Sequence, residues 1–168
     1  MNLPRLKAKA EHSRFYRWLL SYFLNKMVPF NGPHRFVIQS IGINYLKVRL
    51  PFVKRNKNHL NGLHACALAT LCEISSGFLL ISKIDPKRCR IILKKLEMEY
   101  HYQAKKAACG YFEISDEWME KYINKPLQEE GVCLVNAVVE IKDEDGQLIA
   151  TGMAQWQLKN WDSVKTKT

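Results

Sequence analysis

Hydrophobic and polar positions follow a helical period at the start of the chain and a period of two soon afterwards. Between residues 14 and 27 large apolar side chains recur every three or four positions, namely Phe15, Trp18, Leu19, Tyr22, Phe23 and Met27. This spacing predicts an amphipathic helix that packs on the rest of the protein, within an N-terminal segment of residues 1–28. Beyond Pro29, the stretches HRFVIQSIG and INYLKVRLPF alternate like strands and predict a strand pair.

One long segment in the middle of the chain is apolar on every side. From Leu63 to Ser82 the only charged side chain is Glu73, with His64 set aside, and apolar residues occupy all helical positions. A helix with this pattern is a buried helix, and its twenty or so residues would span about 30 Å. Asn61 stands where it can cap the start of this helix.

The chain beyond this helix returns to a strand pattern. Lys95–Ala104 alternates strictly between apolar and polar residues, as a half-buried antiparallel strand does. Lys105 and Lys106 are expected to form a turn, after which Ala107–Ser115 returns as the next strand.

The last third of the chain predicts two further strands. Val132–Lys142 and Gln147–Leu158 alternate, and the DEDG stretch between them favours a hairpin turn. An acidic helical or loop insert, residues 116–131, precedes them. A curled antiparallel sheet that wraps one long helix buries one face of every strand and all of the helix. We therefore expect an α+β domain over residues 29–160, followed by a tail of residues 161–168.

Charge is distributed unevenly along the chain. The net charge is +10, and residues 1–60 hold 12 Lys and Arg against one acid, whereas residues 107–168 hold six against eleven. A basic half indicates an anionic partner, either nucleic acid, anionic lipid or a phosphorylated cofactor, although a solvated basic face is the simpler alternative. Because no nucleic-acid-binding motif is present, we expect no specific nucleic acid partner. Peripheral membrane contact through residues 14–27 stays open, since aromatic side chains there oppose Lys and Arg.

The cysteines and the N-terminal segment bear on the compartment. Five cysteines, an odd number with no C-x-x-C pair, predict neither a disulfide framework nor a zinc site, and we expect no metal. Cys66 and Cys72 lie in the apolar run, where a free cysteine packs as a small hydrophobe. The N-terminal helix is too short and too charged to span a membrane. These features favour a reduced, cytoplasmic protein.

The start of the long helix carries a recognisable motif. NHLNGLHACALATLCE resembles the pattern Asn-x-x-Gly-x-x-His-Gly-Gly, followed eight residues after the first paired glycine by Asp or Glu, of many hotdog-fold acyl-CoA thioesterases. In this resemblance Asn58 matches the family Asn, His64 the His, Ala65 the first paired Gly and Glu73 the acid. The resemblance covers roughly residues 29–158 and implies a hotdog fold, in which the curled sheet holds one central helix.

Other stretches are similar to one branch of that superfamily. LPFVKRNKN, LEMEYHYQAK and ATGMAQWQL resemble a branch of the phenylacetate-degradation type that is catalogued as a domain of unknown function. The chain departs from the thioesterase motif at two places. Ala65-Cys66 replaces the paired glycines, which let a thioester approach the backbone closely, and Asn61 stands at the loop glycine with Gly62 beside it.

Geometry restricts how the motif residues could work together. His64 and Glu73 are nine positions apart, so on one helix they point about 180° apart and lie about 13 Å apart along the axis. They cannot form one site within one chain. Hotdog dimers place two such helices antiparallel, so the resemblance implies a homodimer, or a tetramer of dimers, with a shared site. Asn58, His64 and the Ala65 N–H would come from one subunit and Glu73 from the other.

The resemblance also implies the chemistry of that site. Glu73 would act as general base or nucleophile on an acyl-CoA thioester, and the Ala65 N–H would polarise its carbonyl. Asn58 and His64 would orient the carbonyl or the attacking water. Structural alternatives are a Glu73 carboxylate bonded by Thr70, Ser76 or a strand, and loop or cap hydrogen bonds for Asn58 and His64.

Coenzyme A would be part of the substrate, and no separate cofactor is expected. The residues expected to contact it are those of the loop and the lysines near the strand ends, namely Asn61, Gly62, Lys94, Lys95, Lys105 and Lys106. The alternative functions are a non-catalytic acyl-CoA or lipid-binding protein and a basic protein associated with a membrane surface.

Overall fold

The computed structural model describes residues 3–164, which form one curled antiparallel sheet around a long helix. The helices are α1 (Leu3–His12), α2 (Arg14–Met27), α3 (Ala65–Lys83), α4 (Asp116–Met119) and α5 (Lys125–Glu129), with a π-helical turn at Glu120–Asn124. The strands are β1 (Val37–Ile41), β2 (Tyr45–Leu50), β3 (Cys89–Tyr100), β4 (Ala108–Glu113), β5 (Val132–Asp143) and β6 (Leu148–Asn160). The predicted α+β architecture, the buried central helix and the helical insert are confirmed. Of the predicted tail, residues 161–163 form a short 3₁₀ turn, and residues 165–168 lie outside the described part of the chain.

The six strands lie in the order β1-β2-β4-β5-β6-β3, and all neighbouring pairs are antiparallel. The strand predicted over Ala107–Ser115 is present as β4, but the turn expected at Lys105 and Lys106 does not fold it back beside β3. Strand β3 pairs with β6, whereas β4 lies between β2 and β5 at the other side of the sheet. The chain passes from β3 to β4 across the start of α3, where the Leu63 N–H donates to the Ala104 carbonyl at 2.8 Å. This crossing allows one sheet to close around one helix.

Strand β3 also begins earlier than the alternation predicts, at Cys89 instead of Lys95, and ends at Tyr100 instead of Ala104. Tyr100 and Tyr102 are exposed, so the predicted buried face does not continue to the end of that stretch. The strand is an edge of the sheet because β6 is its one neighbour among the described strands. Its other edge is therefore open for pairing.

Helix α3 fills the concave side of the sheet. Twelve of its residues, from Ala67 to Leu80, are buried, and the interior members of β2, β4, β5 and β6 face it. Within residues 3–164 it is the one helix long and apolar enough to cross a membrane, and 67% of that stretch is buried inside the protein. Here the apolar surface of the helix is covered by the sheet, so this helix forms part of the core.

The helix lies so close to the sheet that two strand positions have no room for a side chain. A Cβ added at Gly152 would lie 2.9 Å from Cys72 Cβ and 2.7 Å from Met98 Sδ, and one added at Gly110 would lie 2.6 Å from Ser75 Oγ. These two glycines set the distance between α3 and strands β4 and β6.

Gly152→Ala is accordingly expected to lower the free energy of unfolding by about 1–3 kcal/mol, the usual cost of overpacking a core. Chemical denaturation monitored by circular dichroism measures this change. Met153→Ala, at the neighbouring half-buried position on the other face of β6, is a matched control that should cost less. Equal stability of Gly152→Ala and the wild type would show that the helix can shift without penalty.

The amphipathic helix predicted between residues 14 and 27 is present as α2, and a further helix, α1, precedes it with a break at Ser13 between them. Helix α2 packs with a different face than predicted. Leu20, Ser21 and Leu24 are buried, whereas four of the apolar residues expected to pack inwards, Phe15, Trp18, Tyr22 and Met27, are exposed. Hydrogen bonds to the chain at β1 explain this orientation. Ser21 Oγ accepts from the Ile38 N–H at 2.8 Å, and the Asn25 side chain bonds both the N–H and the carbonyl of Phe36. These bonds fix α2 beside β1 with its aromatic side outwards.

Candidate active site

The loop before α3 is held in place by a fully buried asparagine. Asn56 Nδ2 donates to the carbonyls of His34 at 3.0 Å and Pro51 at 2.9 Å, and its Oδ1 pairs with His34 Nδ1 at 3.0 Å. Its own carbonyl accepts from the His64 N–H at 2.8 Å. Asn56 thus ties the loop to both the chain before β1 and the start of α3. No pattern in the sequence distinguishes it from the other asparagines of this polar stretch.

The cap of α3 is His64, and the expectation that Asn61 caps it is wrong. His64 Nδ1 accepts from the Cys66 N–H at 3.1 Å, so this nitrogen carries no proton in the capped form. Asn61 has a left-handed backbone, with φ of 58°, and belongs to the turn that precedes the helix. The exposed His64 ring therefore closes the first turn of α3.

Asn58 shapes the same turn. Its Oδ1 accepts from the Leu60 N–H at 2.9 Å and from the Gly62 N–H at 3.1 Å. Loop hydrogen bonds of this kind are the structural alternative to a catalytic role for Asn58. They use the oxygen of the Asn58 side-chain amide as their acceptor. Gly62 is buried, and a Cβ there would lie 3.2 Å from the Ala104 carbonyl, so the turn lies directly against the chain that follows β3.

Ala65 is the first residue of α3, and its N–H donates to no acceptor within residues 3–164. The residue is exposed, and the positive end of the helix dipole lies at this point. The Ala65 carbonyl, in contrast, accepts from Tyr100 Oη at 3.0 Å. An exposed, unpaired N–H on a fixed backbone is the group that an oxyanion needs.

Asn58 and Ala65 share a cleft of about 310 Å³. Asn58, Ala65 and the chain from Tyr100 to Ala104 line it, together with the apolar side chains of Leu63 and Leu68. Tyr100 and its neighbours are absent from the residues that the sequence indicated. These residues join the cleft because the chain returns to the start of α3 after β3. The alternation of apolar and polar residues within a strand does not predict such a return.

Glu73 lies in a different cleft. This second cleft, of about 290 Å³, is apolar and lies between α3, the end of α2 and β6. Besides Glu73 its lining comprises Leu24, Met27, Val28, Phe30, Asn31, Ile74, Gly77, Phe78, Ile81 and Trp156. The Glu73 side chain is half-buried, and loss of hydration raises the pKa of its carboxyl above the usual value.

The structural partners considered for Glu73 are engaged elsewhere. Thr70 Oγ1 donates to the Cys66 carbonyl at 2.8 Å, and Ser76 Oγ donates to the backbone carbonyls of Cys72 and Glu73. Ser76 Oγ in turn accepts from Trp156 Nε1 at 3.1 Å. Within the described residues the Glu73 carboxylate has no hydrogen bond and no ion pair, so it is free to act on a ligand.

One chain does not bring the motif residues together. Asn58, Ala65 and the His64 cap lie at the start of α3, whereas Glu73 faces the apolar cleft two turns further on. Eight residues separate Ala65 from Glu73, which is about 12 Å along the helix axis. The two groups of residues therefore lie in separate clefts of a single subunit.

The lysines expected near coenzyme A are spread along the chain. Lys94 and Lys95 lie in the middle of β3, and not near its end as expected, because the strand begins at Cys89. Lys105 and Lys106 follow Ala104, which lines the cleft of Ala65. Lys105 is exposed, and Lys106 is paired with Asp145, which raises the pKa of Lys106 chiefly through their hydrogen bond.

The thiols also differ from the expectation in one respect. Cys66 is exposed at the start of α3, and it does not pack as a small hydrophobe. Cys72 does so, and burial raises its pKa to about 12, with the charge of nearby Glu73 adding to the effect. The side chain of Cys66 therefore borders the surface near Ala65.

Comparison with solved structures identifies the fold class. A protein of unknown function from Pseudomonas aeruginosa, named a probable thioesterase, is 22% identical with a TM-score of 0.78, over 84% of this chain and 94% of that one. A Chlorobaculum tepidum protein of unknown function is 12% identical with a TM-score of 0.73, over 83% and 94%. A Haemophilus influenzae thioesterase is 10% identical with a TM-score of 0.65, over 99% and 96%. The protein has the hotdog fold.

The family follows from the sequence itself. Residues 16–158 match the model of DUF4442, a domain of unknown function, and the chain belongs to that family. The predicted resemblance to hotdog thioesterases and to a branch of unknown function is confirmed, whereas its phenylacetate type stays a prediction. No curated protein matches the chain.

Proposed function

We propose that the protein hydrolyses an acyl-CoA thioester to a free acid and coenzyme A. The observation that carries this proposal is the Glu73 carboxylate, which is half-buried and unpaired in an apolar cleft. A carboxylate whose pKa is raised by burial is a stronger base than a solvated one. An unpaired charge of this kind costs stability, and catalysis explains why it is tolerated.

The catalytic unit that we propose is a homodimer, alone or paired into a tetramer. Each subunit would supply Asn58, His64 and the Ala65 N–H to one site and Glu73 to the other, because one helix cannot bring them together. The open edge of β3 supports this assembly, since an unpaired edge is completed by an antiparallel copy of the same strand. Light scattering tests it, and a monomer at micromolar concentration would contradict the shared site.

In the proposed reaction Glu73 takes a proton from water as the oxygen of that water attacks the thioester carbon. The Ala65 N–H holds the resulting oxyanion at the positive end of α3. Collapse of the intermediate breaks the carbon–sulfur bond, and the thiolate of coenzyme A takes up the proton. Asn58 and His64 position the carbonyl or the water beside these two groups.

Direct attack by the Glu73 oxygen on the thioester carbon is the other route, and it passes through a mixed anhydride. Labelled water distinguishes the two. Under single-turnover conditions in H₂¹⁸O, the base route puts the label only into the released acid. The nucleophile route, in which water attacks the anhydride on the side of Glu73, puts it into the carboxylate of Glu73, where peptide mass spectrometry detects it.

Exposed lysines at the mouth of the Ala65 cleft are proposed to bind the phosphates of coenzyme A. Lys105→Glu should raise KM several-fold with little change in kcat, because it alters uniform binding and not the transition state. The effect should shrink as salt is added. Lys94→Glu tests the mid-strand pair in the same way, and a KM that neither variant changes would contradict an electrostatic role.

A binding protein without catalysis is the second candidate, and one observation favours it. Cys66 stands where thioesterases of this motif have a glycine, and its N–H is already taken by the His64 ring. A screen of acyl-CoA thioesters for release of free thiol separates the two functions. Binding of acyl-CoA in calorimetry without any thiol release would establish the binding protein.

A further inference from the structure

Helix α2 carries aromatic side chains on the side that faces away from the protein. It packs through Leu20, Ser21 and Leu24. On the opposite side Phe15, Trp18 and Tyr22 expose 62%, 61% and 49% of their surface. We call these three side chains the aromatic ridge. A contiguous group of large exposed apolar side chains marks an interaction surface.

The aromatic ridge is continuous and ordered along the helix. The ring centres of Phe15 and Trp18 are 6.0 Å apart, and those of Trp18 and Tyr22 are 6.3 Å apart in a stacked arrangement. The residues follow one another at spacings of three and four, which places them in one row. The row lies on the exposed side of α2, and Trp18 and Tyr22 border the same groove as the buried Ser21.

Positive charge flanks the aromatic ridge. Lys26 Nζ lies 5.6 Å from the centre of the Tyr22 ring. Lys26 and Arg35 line a groove of about 480 Å³ beside Trp18 and Tyr22, between α2 and the start of β1. Neither cation forms an ion pair with a carboxylate within residues 3–164. In residues 1–60 the only acid is Glu11, so the segment that holds both cations is strongly basic.

We propose that the aromatic ridge, with Lys26 and Arg35, docks the protein on the surface of an anionic lipid bilayer. A bilayer presents an anionic layer above an apolar one, which matches an exposed apolar row flanked by cations. Tryptophan and tyrosine favour that boundary because their rings are apolar with one polar group. A helix of 14 residues with this pattern lies in the interface plane and does not span the membrane.

The helix that carries the aromatic ridge ends at the cleft of Glu73. Met27, Val28 and Phe30, at the end of the same helix and just beyond it, are exposed and line that cleft. An acyl chain that enters this cleft past the end of α2 would lie next to the carboxylate. This consequence for the substrate rests on the proposed thioesterase function, whereas docking itself does not and is measured without any turnover.

Flotation with vesicles tests the docking. Wild-type protein should float with vesicles of phosphatidylcholine and phosphatidylserine, and much less with phosphatidylcholine alone. Its tryptophan emission should shift to the blue on binding, because Trp18 enters the interface. Trp18→Phe should still float and lose most of the shift, since Trp118, Trp156 and Trp161 are more buried in the protein.

Variants of the surface sharpen the test. Replacing all three ridge residues by serine should lower vesicle binding at least tenfold, with an unchanged melting temperature because these side chains lie outside the core. Lys26→Glu or Arg35→Glu should lower it about 30-fold, since each elementary charge near the surface alters binding about fivefold and a reversal removes two. Matched controls are Leu134→Ser and Val138→Ser, exposed by 47% and 56% on β5, and Lys87→Glu in the turn after α3.

Four results would overturn the proposal. Equal binding to vesicles with and without phosphatidylserine would remove the role of the cations. Full binding by the triple ridge variant would remove the role of the aromatic side chains. If the triple variant forms smaller oligomers than the wild type in light scattering, the surface binds a second copy of the chain. If the wild type binds duplex DNA through this surface and does not bind vesicles, the surface binds nucleic acid.

Discussion

Glu73→Gln is expected to lower acyl-CoA hydrolysis by about 10² or more while the protein stays folded and still binds substrate. Glutamine keeps the shape of the side chain and removes its basicity and its negative charge. The loss should therefore fall on kcat, with KM little changed. Thiol release measured over a series of acyl-CoA substrates gives both constants.

The same variant has a second signature in stability. Because burial raises the pKa of Glu73 in the folded protein, its charged form destabilises the fold above that pKa. Below the pKa of the unfolded chain the carboxyl is protonated in both states and the penalty vanishes. Glu73→Gln should thus be more stable than the wild type at neutral pH, and the difference should disappear as the pH falls through this range.

The matched control is Glu140→Gln, which changes an exposed carboxylate that is paired with Lys142 on β5. It should leave the rate and the melting temperature nearly unchanged. Melting curves of all three proteins across pH check the prediction. A Glu73→Gln protein that melts lower at neutral pH and keeps its activity would show that Glu73 has a structural role.

Ala65→Pro is expected to lower kcat by about 10²–10³, the usual loss for one oxyanion donor, without loss of stability. Proline removes the one backbone N–H that we place at the oxyanion. The first position of a helix tolerates proline, and His64, with φ of −70° and ψ of 138°, already has the conformation that a residue before proline adopts. Since the Ala65 N–H has no acceptor in the described chain, no hydrogen bond of the fold is lost.

Ala65→Gly is the control, because it keeps the N–H and should keep the activity. A proline variant with wild-type kcat would exclude the start of α3 from the site. Refolding Ala65→Pro together with Glu73→Gln adds a test of the shared site. Half of the resulting dimers would be mixed, each with one intact site of two, so activity should recover to roughly a quarter of the wild type. Mixed dimers without activity would show that Ala65 and Glu73 do not form one site across the two subunits.

The sequence predicts the core well because burial leaves a strong periodic signal. The alternation of β2, β5 and β6 and the uniformly apolar α3 all return in the structure within a few residues. The pairing of β3 with β6 could not be predicted in this way. About fifty residues separate the two strands, and the alternation within a strand says which face is buried and not which strand lies beside it.

The orientation of α2 shows a different limit of sequence patterns. An amphipathic pattern places the apolar side inwards by default, yet here the inward side includes Ser21 and Asn25, which bond the backbone of β1. By hydrophobicity alone, an aromatic side chain is always expected to be buried in preference to serine, even where the aromatic side chain lies on the surface. The position of hydrogen-bonding partners in a distant strand decides the orientation.

The candidate site was predictable only where a motif exists. Asn58, His64, Ala65 and Glu73 are found by their spacing, and the separation of Glu73 from the other three follows from helix geometry alone. Asn56, which anchors the loop, and Tyr100, which bonds the Ala65 carbonyl, carry no such spacing. Both act through contacts with parts of the chain that are remote in sequence.

The late completion of the sheet has a consequence for biosynthesis. Helix α3 is made before β5 and β6, which cover much of it, and 77 residues separate Lys83 from Asn160. At about 5–20 residues per second, a nascent chain would expose this apolar segment for roughly 4–15 s on the ribosome. The segment has the length and composition of a membrane span. A transcript truncated before β5 would thus yield a fragment that chaperones or the membrane insertion machinery must handle.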